Sequence, residues 1–458
     1  MSFYLLERYK EAKCLQTNEN DFVSYIDLAK RSDEIVKNLP KRSLFILYFE
    51  PSIDCIAAYL GALRNNHVAL LIDPSLDEVL KDKIINKFRI KFKFNGNKWT
   101  KTKFCNESKD GFDRNLSILL STSGSTGSPK LIKISKKNLV VNANSIVEYL
   151  GLNKDDRAIS SLPLHYSYGL SILNTHLLVG AKFYLTNLPV TNKKFWSFFK
   201  ENEITNMSGV PATWRILRKL FFDRMNLPSL KFITQAGGKL SVEEVKWLAE
   251  LGNISNFKVF IMYGQTEATA RMSYLKPDMV LKKSGSIGKV IPNGKLYLKG
   301  ENNRNIYNSN QEGELIYEGE NVMMGYASEI SDLKKRPIKK ELYTGDLAYF
   351  DEDGYFWITG RKKRFLKIFG NRFSMDDIES FLYEKGFEAS VIGKDDKLIV
   401  VICKEENQNS NDLIITLLSN FYKIHFSAVE VIMIDKIPRS SSGKTEYKKL
   451  SEICGLDF

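Results

Sequence analysis

The stretch Leu119–Lys133 reads LLSTSGSTGSPKLIK. Apolar residues close a predicted strand and a run of hydroxyls and glycines follows, ended by Pro129 and Lys130. Gly124 and Gly127 let the backbone turn with its amides exposed, and Thr122, Ser123, Ser125 and Thr126 add hydroxyl donors. With the Lys130 ammonium these are the parts of a phosphate cradle set at the end of a strand. A Walker A loop needs G-x-x-x-x-G-K-[ST]; Pro129 occupies the second glycine's place counted from Gly124, and Pro438 stands five residues before Gly443-Lys444-Thr445. P-loop ATPases and kinases are therefore excluded, since no complete motif set of either kind is present.

Outward from this loop, strand and helix signals alternate through the first 260 or so residues. Ser43–Phe49 and Val68–Ile72 are apolar strand runs, Ser52–Arg64 and Lys137–Leu150 have helical spacing, and Ala158–Ser161 and Lys182–Leu185 read as strands. Such alternation predicts a layered α/β core with parallel strands. From Gly285 to Phe356, short strands separated by Gly and Asn turns predict a β-rich subdomain, with Asp351–Gly354 as its clearest turn. The basic Arg361–Arg364 segment reads as a linker, which divides the chain into a large domain over 1–360 and a small α+β domain over 361–458. In the latter, helices are expected at Ser374–Lys385 and Asn411–Ser419, and strands at Ala389–Ile392, Lys397–Cys403 and Ala428–Ile434.

Further motifs follow the cradle. Tyr263-Gly264-Gln265-Thr266-Glu267 resembles a Y-G-x-T-E motif, and Gly313-Glu314-Leu315 with Gly325-Tyr326 a G-E-L…G-Y segment. Tyr343-Thr344-Gly345-Asp346 with Gly360-Arg361 resembles Y-x-T-G-D…G-R, although Thr344 follows Tyr343 directly. Pro438-Arg439 to Gly443-Lys444 is similar to P-R-x-x-x-G-K. In this order the motifs are those of the adenylate-forming (AMP-binding) superfamily, which includes acyl-CoA synthetases, aryl-CoA ligases, luciferases and adenylation domains of peptide synthetases.

The resemblance implies ATP- and Mg²⁺-dependent activation of a carboxylic acid. The acid attacks the α-phosphate of ATP, pyrophosphate leaves, and the acyl group then passes to a thiol, either coenzyme A or the phosphopantetheine arm of an acyl carrier protein. Both reactants are anionic, so the protein must neutralise and align them. It implies that Thr122–Gly127 and Lys130 hold the β- and γ-phosphates. Thr266 would donate to the α-phosphate and Glu267 would bind Mg²⁺. Gly237, Gly238, Tyr263 and Gly264 would line the adenine site, and Asp346 and Arg361 would hold the ribose. Lys444 is the expected catalytic residue, and Lys363 is the expected hinge about which the small domain swings between an adenylating and a transferring pose. Lys367–Arg372 resembles the K-x-x-G-x-R segment that brings Gly370 to the acyl pocket in the second pose, with Ser374 where relatives carry Glu.

The acid is less defined. Leu162–Leu170 reads LPLHYSYGL where acyl- and aryl-activating relatives read L-P-x-F-H-x-x-G-L, so His165 and Tyr166 replace the aromatic and the histidine. With Trp214 they are the expected substrate pocket. Relatives that activate α-amino acids use an Asp nearby, and none occurs between Arg157 and Phe222. An amino-acid-activating enzyme loading a carrier protein is thus the less favoured alternative. A non-catalytic nucleotide-binding relative is disfavoured because Lys444, Glu267 and Asp346 are all present.

Bulk properties agree. With 67 Lys and Arg against 54 Asp and Glu, the chain has a formal net charge of +13, but the basic residues are dispersed and no nucleic-acid-binding motif accompanies them. The surplus suits ATP, pyrophosphate and an acidic carrier protein. Five scattered cysteines support neither a disulfide framework nor a zinc site. No signal core or membrane-spanning run is evident, so a cytoplasmic protein without membrane insertion is expected.

Overall fold

The computed structural model describes residues 1–106, 111–121, 130–335, 340–362, 364–369, 371–404, 410–440 and 443–455. The cradle residues Thr122–Gly127, the hinge residue Lys363 and Gly370 lie outside the described residues.

Two sheets face each other across a shared helical layer. One has seven strands; Leu44–Tyr48, Val68–Ile72 and Leu116–Ser121 lie parallel within it. Val68–Ile72 (VALLI) is buried along its whole length, as expected of a strand covered on both faces. The two-residue period sorts its neighbour, with Phe45 and Leu47 facing one apolar cluster and Leu44 and Ile46 another. The second sheet has nine strands, and Arg157–Ile159, Asn206–Gly209, Phe232–Gln235 and Lys258–Tyr263 run parallel in it. Helices Ile53–Arg64 and Ser167–Val179 lie between the sheets and are buried almost throughout. Where Ile53–Arg64 crosses Tyr25–Val36, a Cβ on Gly61 would stand 2.2 Å from the Ser32 carbonyl oxygen, so only glycine allows that approach.

Parallel strands form the centre of both large sheets, and antiparallel pairs flank them. Leu116–Ser121 and Leu131–Ser135, which flank the cradle residues, pair antiparallel. Strand Leu116–Ser121 ends at Ser121 on the side of the carboxyl ends of the parallel strands Leu44–Tyr48 and Val68–Ile72, where open α/β sheets bind ligands.

The β-rich region is a five-stranded antiparallel sheet. Its strands Glu341–Phe350 and Phe356–Arg361 are joined through the expected turn, where Gly354 has φ +75°. Beyond Arg364 the chain builds separate apolar clusters around Ile378, Leu382, Val400, Ile414 and Leu418, and around Ile399, Val401 and Leu450. Helices Met375–Glu384 and Ser410–Tyr422 cover a three-stranded sheet there. A further helix, Tyr447–Ile453, was not foreseen from the sequence. The protein thus has a large α/β domain with a β-rich part and a small α+β domain. Among the described residues, no helix is long and apolar enough to cross a membrane.

Candidate active site

Three parallel strands deliver their C-terminal ends to one place. Asn206–Gly209 runs into Val210-Pro211, Phe232–Gln235 into Ala236-Gly237-Gly238, and Lys258–Tyr263 into Gly264–Thr266. Gly264 is obligatory, because a Cβ there would stand 1.9 Å from the carbonyl oxygen of Ala270. A tight turn follows, with Thr269 at φ 56° and Ala270 at φ 112°. An alanine in that region stores about 1–3 kcal/mol of strain. The turn is held by the Asn321 side-chain amide, which donates to the carbonyls of Ala268 and Arg271 at 2.8 and 3.0 Å.

Glu267 lies on this turn, half-buried, and accepts a hydrogen bond from the Tyr326 hydroxyl at 2.9 Å. Burial and the adjacent Glu267 push the Tyr326 hydroxyl up, so it stays protonated and donates. The Lys130 ammonium lies 3.7 Å over the Tyr326 ring. Lys130, Tyr326 and Glu267 therefore cluster at the start of strand Leu131–Ser135. The Thr266 hydroxyl is 3.1 Å from that of Ser167.

Asp346 lies on strand Glu341–Phe350 after Gly345 (φ 73°), and the antiparallel register sets it opposite Arg361. It is 3% exposed. Arg361 Nε is 3.1 Å from its Oδ1, Gln265 Nε2 donates to its Oδ2 at 3.1 Å, and the Tyr263 hydroxyl donates to the same oxygen. Burial and the Asp346 charge raise the Tyr263 hydroxyl well above the usual phenol range, which keeps it a donor. The sheet containing Tyr263 and the sheet containing Asp346 are thus tied together at the site.

Lys444 reaches this site from the small domain. Its turn is closed by the amide of Ser440 donating to the Lys444 carbonyl at 2.8 Å, and Gly443 takes φ 77°. A Cβ on Gly443 would lie 3.6–3.7 Å from Ala212 and Val210, so the turn packs on the large domain. The Lys444 ammonium lies 5.8 Å over the Tyr166 ring. Burial lowers its pKa first and the Arg361 charge adds to that, while Glu267 and Asp346 oppose both. The last two effects place Lys444 within electrostatic reach of both carboxylates. Tyr383 completes the junction: its hydroxyl donates to Glu244 at 2.9 Å, and Arg215, itself 2.7 Å from Glu244, stacks 4.0 Å over its ring.

The structure therefore brings Tyr263, Gly264, Thr266, Glu267, Asp346, Arg361 and Lys444 together, with Lys130 at the rim. Gly237 and Gly238 border the same space, since Cβ atoms there would meet the Tyr166 hydroxyl at 2.9 Å and Pro211 Cγ at 3.1 Å. Two of the three expected pocket residues are placed otherwise. Trp214 is 1% exposed in the apolar core, against Gly209 and Phe222, and presents no open face. Its spacing after Pro211 puts it on the inward side of helix Pro211–Lys219. His165 turns to Asp73, with Nε2 3.4 Å from Oδ2. Tyr166 alone faces the site. Sequence reasoning gave no role to Gln265, Tyr326 or Arg271; Gln265 stands at the open position of Y-G-x-T-E, and Tyr326 is named in the G-E-L…G-Y segment without a function.

The donor set suits a magnesium nucleotide. Glu267 offers hard carboxylate oxygens, Asp346 is an acceptor for a diol, and Lys130, Arg361 and Lys444 supply positive charge for a polyphosphate.

Comparison with known proteins agrees. Residues 106–327 match the AMP-binding enzyme family model. Oxalate–CoA ligase of Saccharomyces cerevisiae is 27% identical over 75% of this chain and 64% of its own length. A 2-succinylbenzoate–CoA ligase of a Geobacillus species is 26% identical over 74% and 69%. The aligned stretch thus spans about two thirds of these relatives. Among solved structures, o-succinylbenzoate CoA synthetase from Bacillus subtilis with ATP and magnesium superposes with a TM-score of 0.81 at 21% identity, covering 98% of this chain and 99% of that one. ATP-bound MatB from Rhodopseudomonas palustris gives 0.80 at 20%, covering 99% of each. Over residues 106–327 the chain thus resembles AMP-binding enzymes, and its fold is that of the adenylate-forming structures named here.

Proposed function

We infer that the protein is an AMP-forming acid–thiol ligase, which converts a carboxylic acid and ATP to an acyl-adenylate and pyrophosphate and then transfers the acyl group to a thiol. The observation that carries this reading is the convergence of Lys444, from the small domain, with Glu267, Asp346 and Arg361 in one site. Asp346 and Arg361 hold the ribose, while Gly237, Gly238 and Tyr263 flank the adenine. Thr266 donates to the α-phosphate, and Lys130, with the Thr122–Gly127 loop, neutralises the outer phosphates. Glu267 holds Mg²⁺, which supplies Lewis-acid charge when bound. The Lys444 ammonium sits over Tyr166, where it attracts the acid's carboxylate and offsets charge on the α-phosphate oxygens as the carboxylate attacks. A group held in a dry site for that purpose supplies about 10²–10³ in rate.

For thiol transfer the Lys444 turn must leave the site, and the boundary after Gly360-Arg361, with Lys363 as the hinge, is where the small domain would rotate. The curated relatives named above act with coenzyme A, which favours coenzyme A as acceptor; the basic surplus keeps a carrier protein as the second reading. The decisive assay is ATP–pyrophosphate exchange across pools of acids, with Lys444→Ala as control, followed by thioester formation with coenzyme A or a phosphopantetheinylated carrier. Exchange that depends on Lys444 is expected. Exchange equal in the variant would remove its role, and none with any acid would overturn the ligase reading.

A further inference from the structure

Arg271 is a cation the ligase chemistry above does not use. It lies four residues after Glu267 and is 3% exposed, yet among the described residues no carboxylate pairs with it. Its Nη1 makes a long 3.4 Å contact to the Ala270 carbonyl, and its Nε is buried without a partner. The guanidinium stacks 3.9 Å over the ring of Tyr168. An arginine keeps its charge in any protein setting, and a buried charge is ordinarily matched by an opposite one. Here the fold supplies the Tyr168 face, the Tyr149 hydroxyl and the Ala270 carbonyl, but no carboxylate, and it leaves Nε unpartnered.

The position of that fork relates to the acyl end of the site. Tyr166 and Tyr168 are neighbours, with ring centroids 6.4 Å apart. Lys444 lies over the first and Arg271 over the second. Arg271 is close enough to Tyr166 to oppose the rise that burial imposes on its hydroxyl. The tyrosine pair thus has a cation over each ring, and an acid lying along it with its reacting carboxylate at Lys444 would have its far end towards the guanidinium. A neutral tail would leave that charge buried and unmatched, and an ammonium would be repelled by it. A second carboxylate would satisfy it with the planar, two-point geometry at which guanidinium excels.

We propose that Arg271 receives a second carboxylate of the acid, so that the substrate is a short dicarboxylic acid activated at the end facing Lys444. This rests on the acid-activating reading above. The test compares straight-chain diacids of two to six carbons with their half-amides, such as succinate with succinamate, and with neutral aliphatic and aryl acids, by ATP–pyrophosphate exchange. The best diacid is expected to exceed its half-amide by about 100-fold in kcat/KM, the size of a desolvated charge-assisted pair. Arg271→Met should raise KM for the diacid and abolish or invert that ratio; Arg271→Lys should restore part of it. If Arg271→Met does not fold, the wild-type ratio decides alone. Equal use of diacid and half-amide, or exchange with neutral acids in preference to every diacid, would overturn the assignment and leave the ligase reading intact. Exchange with no acid at all would overturn both.

Discussion

Lys444 shows what the site demands of one residue. Burial and Arg361 both disfavour its charged form, so the folded protein binds that proton less tightly than the unfolded chain. Stability therefore rises with pH between the lowered folded value and the ordinary lysine value, and Lys444→Met, which has no proton to lose, lacks this rise. Adenylation by Lys444→Met should fall about 10²–10³-fold, with melting temperature at pH 7 equal to or above that of wild type. From pH 7 to 10 the wild type should gain on the variant; thermal melts across that range check the sign. Asp346 shows the complementary case. Asp346→Asn keeps the shape but removes the charge that meets Arg361 and the Tyr263 and Gln265 donors. KM for ATP should rise about 10–100-fold, as for loss of charge-assisted hydrogen bonds, read from exchange kinetics at saturating acid.

At the scale of elements, the junction between helices Met375–Glu384 and Val242–Ser255 rests on Tyr383, Glu244 and Arg215. Burial alone would push the Glu244 carboxyl up, but Arg215, the Ser241 amide and Tyr383 together hold it below the usual value. Its contribution is thus present above ordinary carboxylate pH and is lost only as pH falls through the depressed value. Tyr383→Phe removes one bond across the junction, worth about 1 kcal/mol. It should slow adenylation about fivefold while leaving thioester formation from pre-made acyl-adenylate unchanged; single-turnover measurements of each half-reaction separate the two. Equal loss in both would refute a role confined to the adenylating pose.

Elements were also where the sequence spoke most clearly. Val68–Ile72, Lys182–Leu185 and Lys397–Cys403 are found with the expected bounds because each is an unbroken apolar or β-branched run. Ser52, Ser241 and Ser374 cap their helices through side-chain hydrogen bonds. The antiparallel course of Leu131–Ser135 was not legible, since a strand buried on both faces has no alternation and its direction is a tertiary fact. Helix Tyr447–Ile453 buries only Leu450 and Ser451, too little for an apolar period. The nucleotide residues were legible because short motifs hold them at fixed spacing. Arg271 was not, because what marks it is burial without a paired carboxylate among the described residues, a tertiary fact.

For the whole molecule, Glu267, Asp346 and Arg361, the last paired with Asp346 on strand Phe356–Arg361 at the domain boundary, lie together, and the small domain contributes Lys444. Nucleotide binding and catalysis should therefore separate. MgATP at one hundred times its dissociation constant should stabilise wild type and Lys444→Met alike by about 2.7 kcal/mol, read as equal shifts in melting temperature. The small domain coheres through Arg364, which lies 2.5 Å from Asp376 and 2.8 Å from Glu379 and stacks 3.7 Å over Tyr447. Arg364→Ala would strand those carboxylates at a cost on the order of 3 kcal/mol, and urea titration should show an early transition for this domain ahead of the rest.

The turn after Glu267 is held by its main chain. Asn142 and Asn321 both donate to the carbonyl oxygen of Arg271, at 3.1 and 3.0 Å. The path of the backbone is thereby insured against changes in what it carries. Position 271 can pass from one side chain to another by a single codon while the Glu267 end of the same loop stays put. A lineage built this way can change its diet of acids without relearning how to grip ATP.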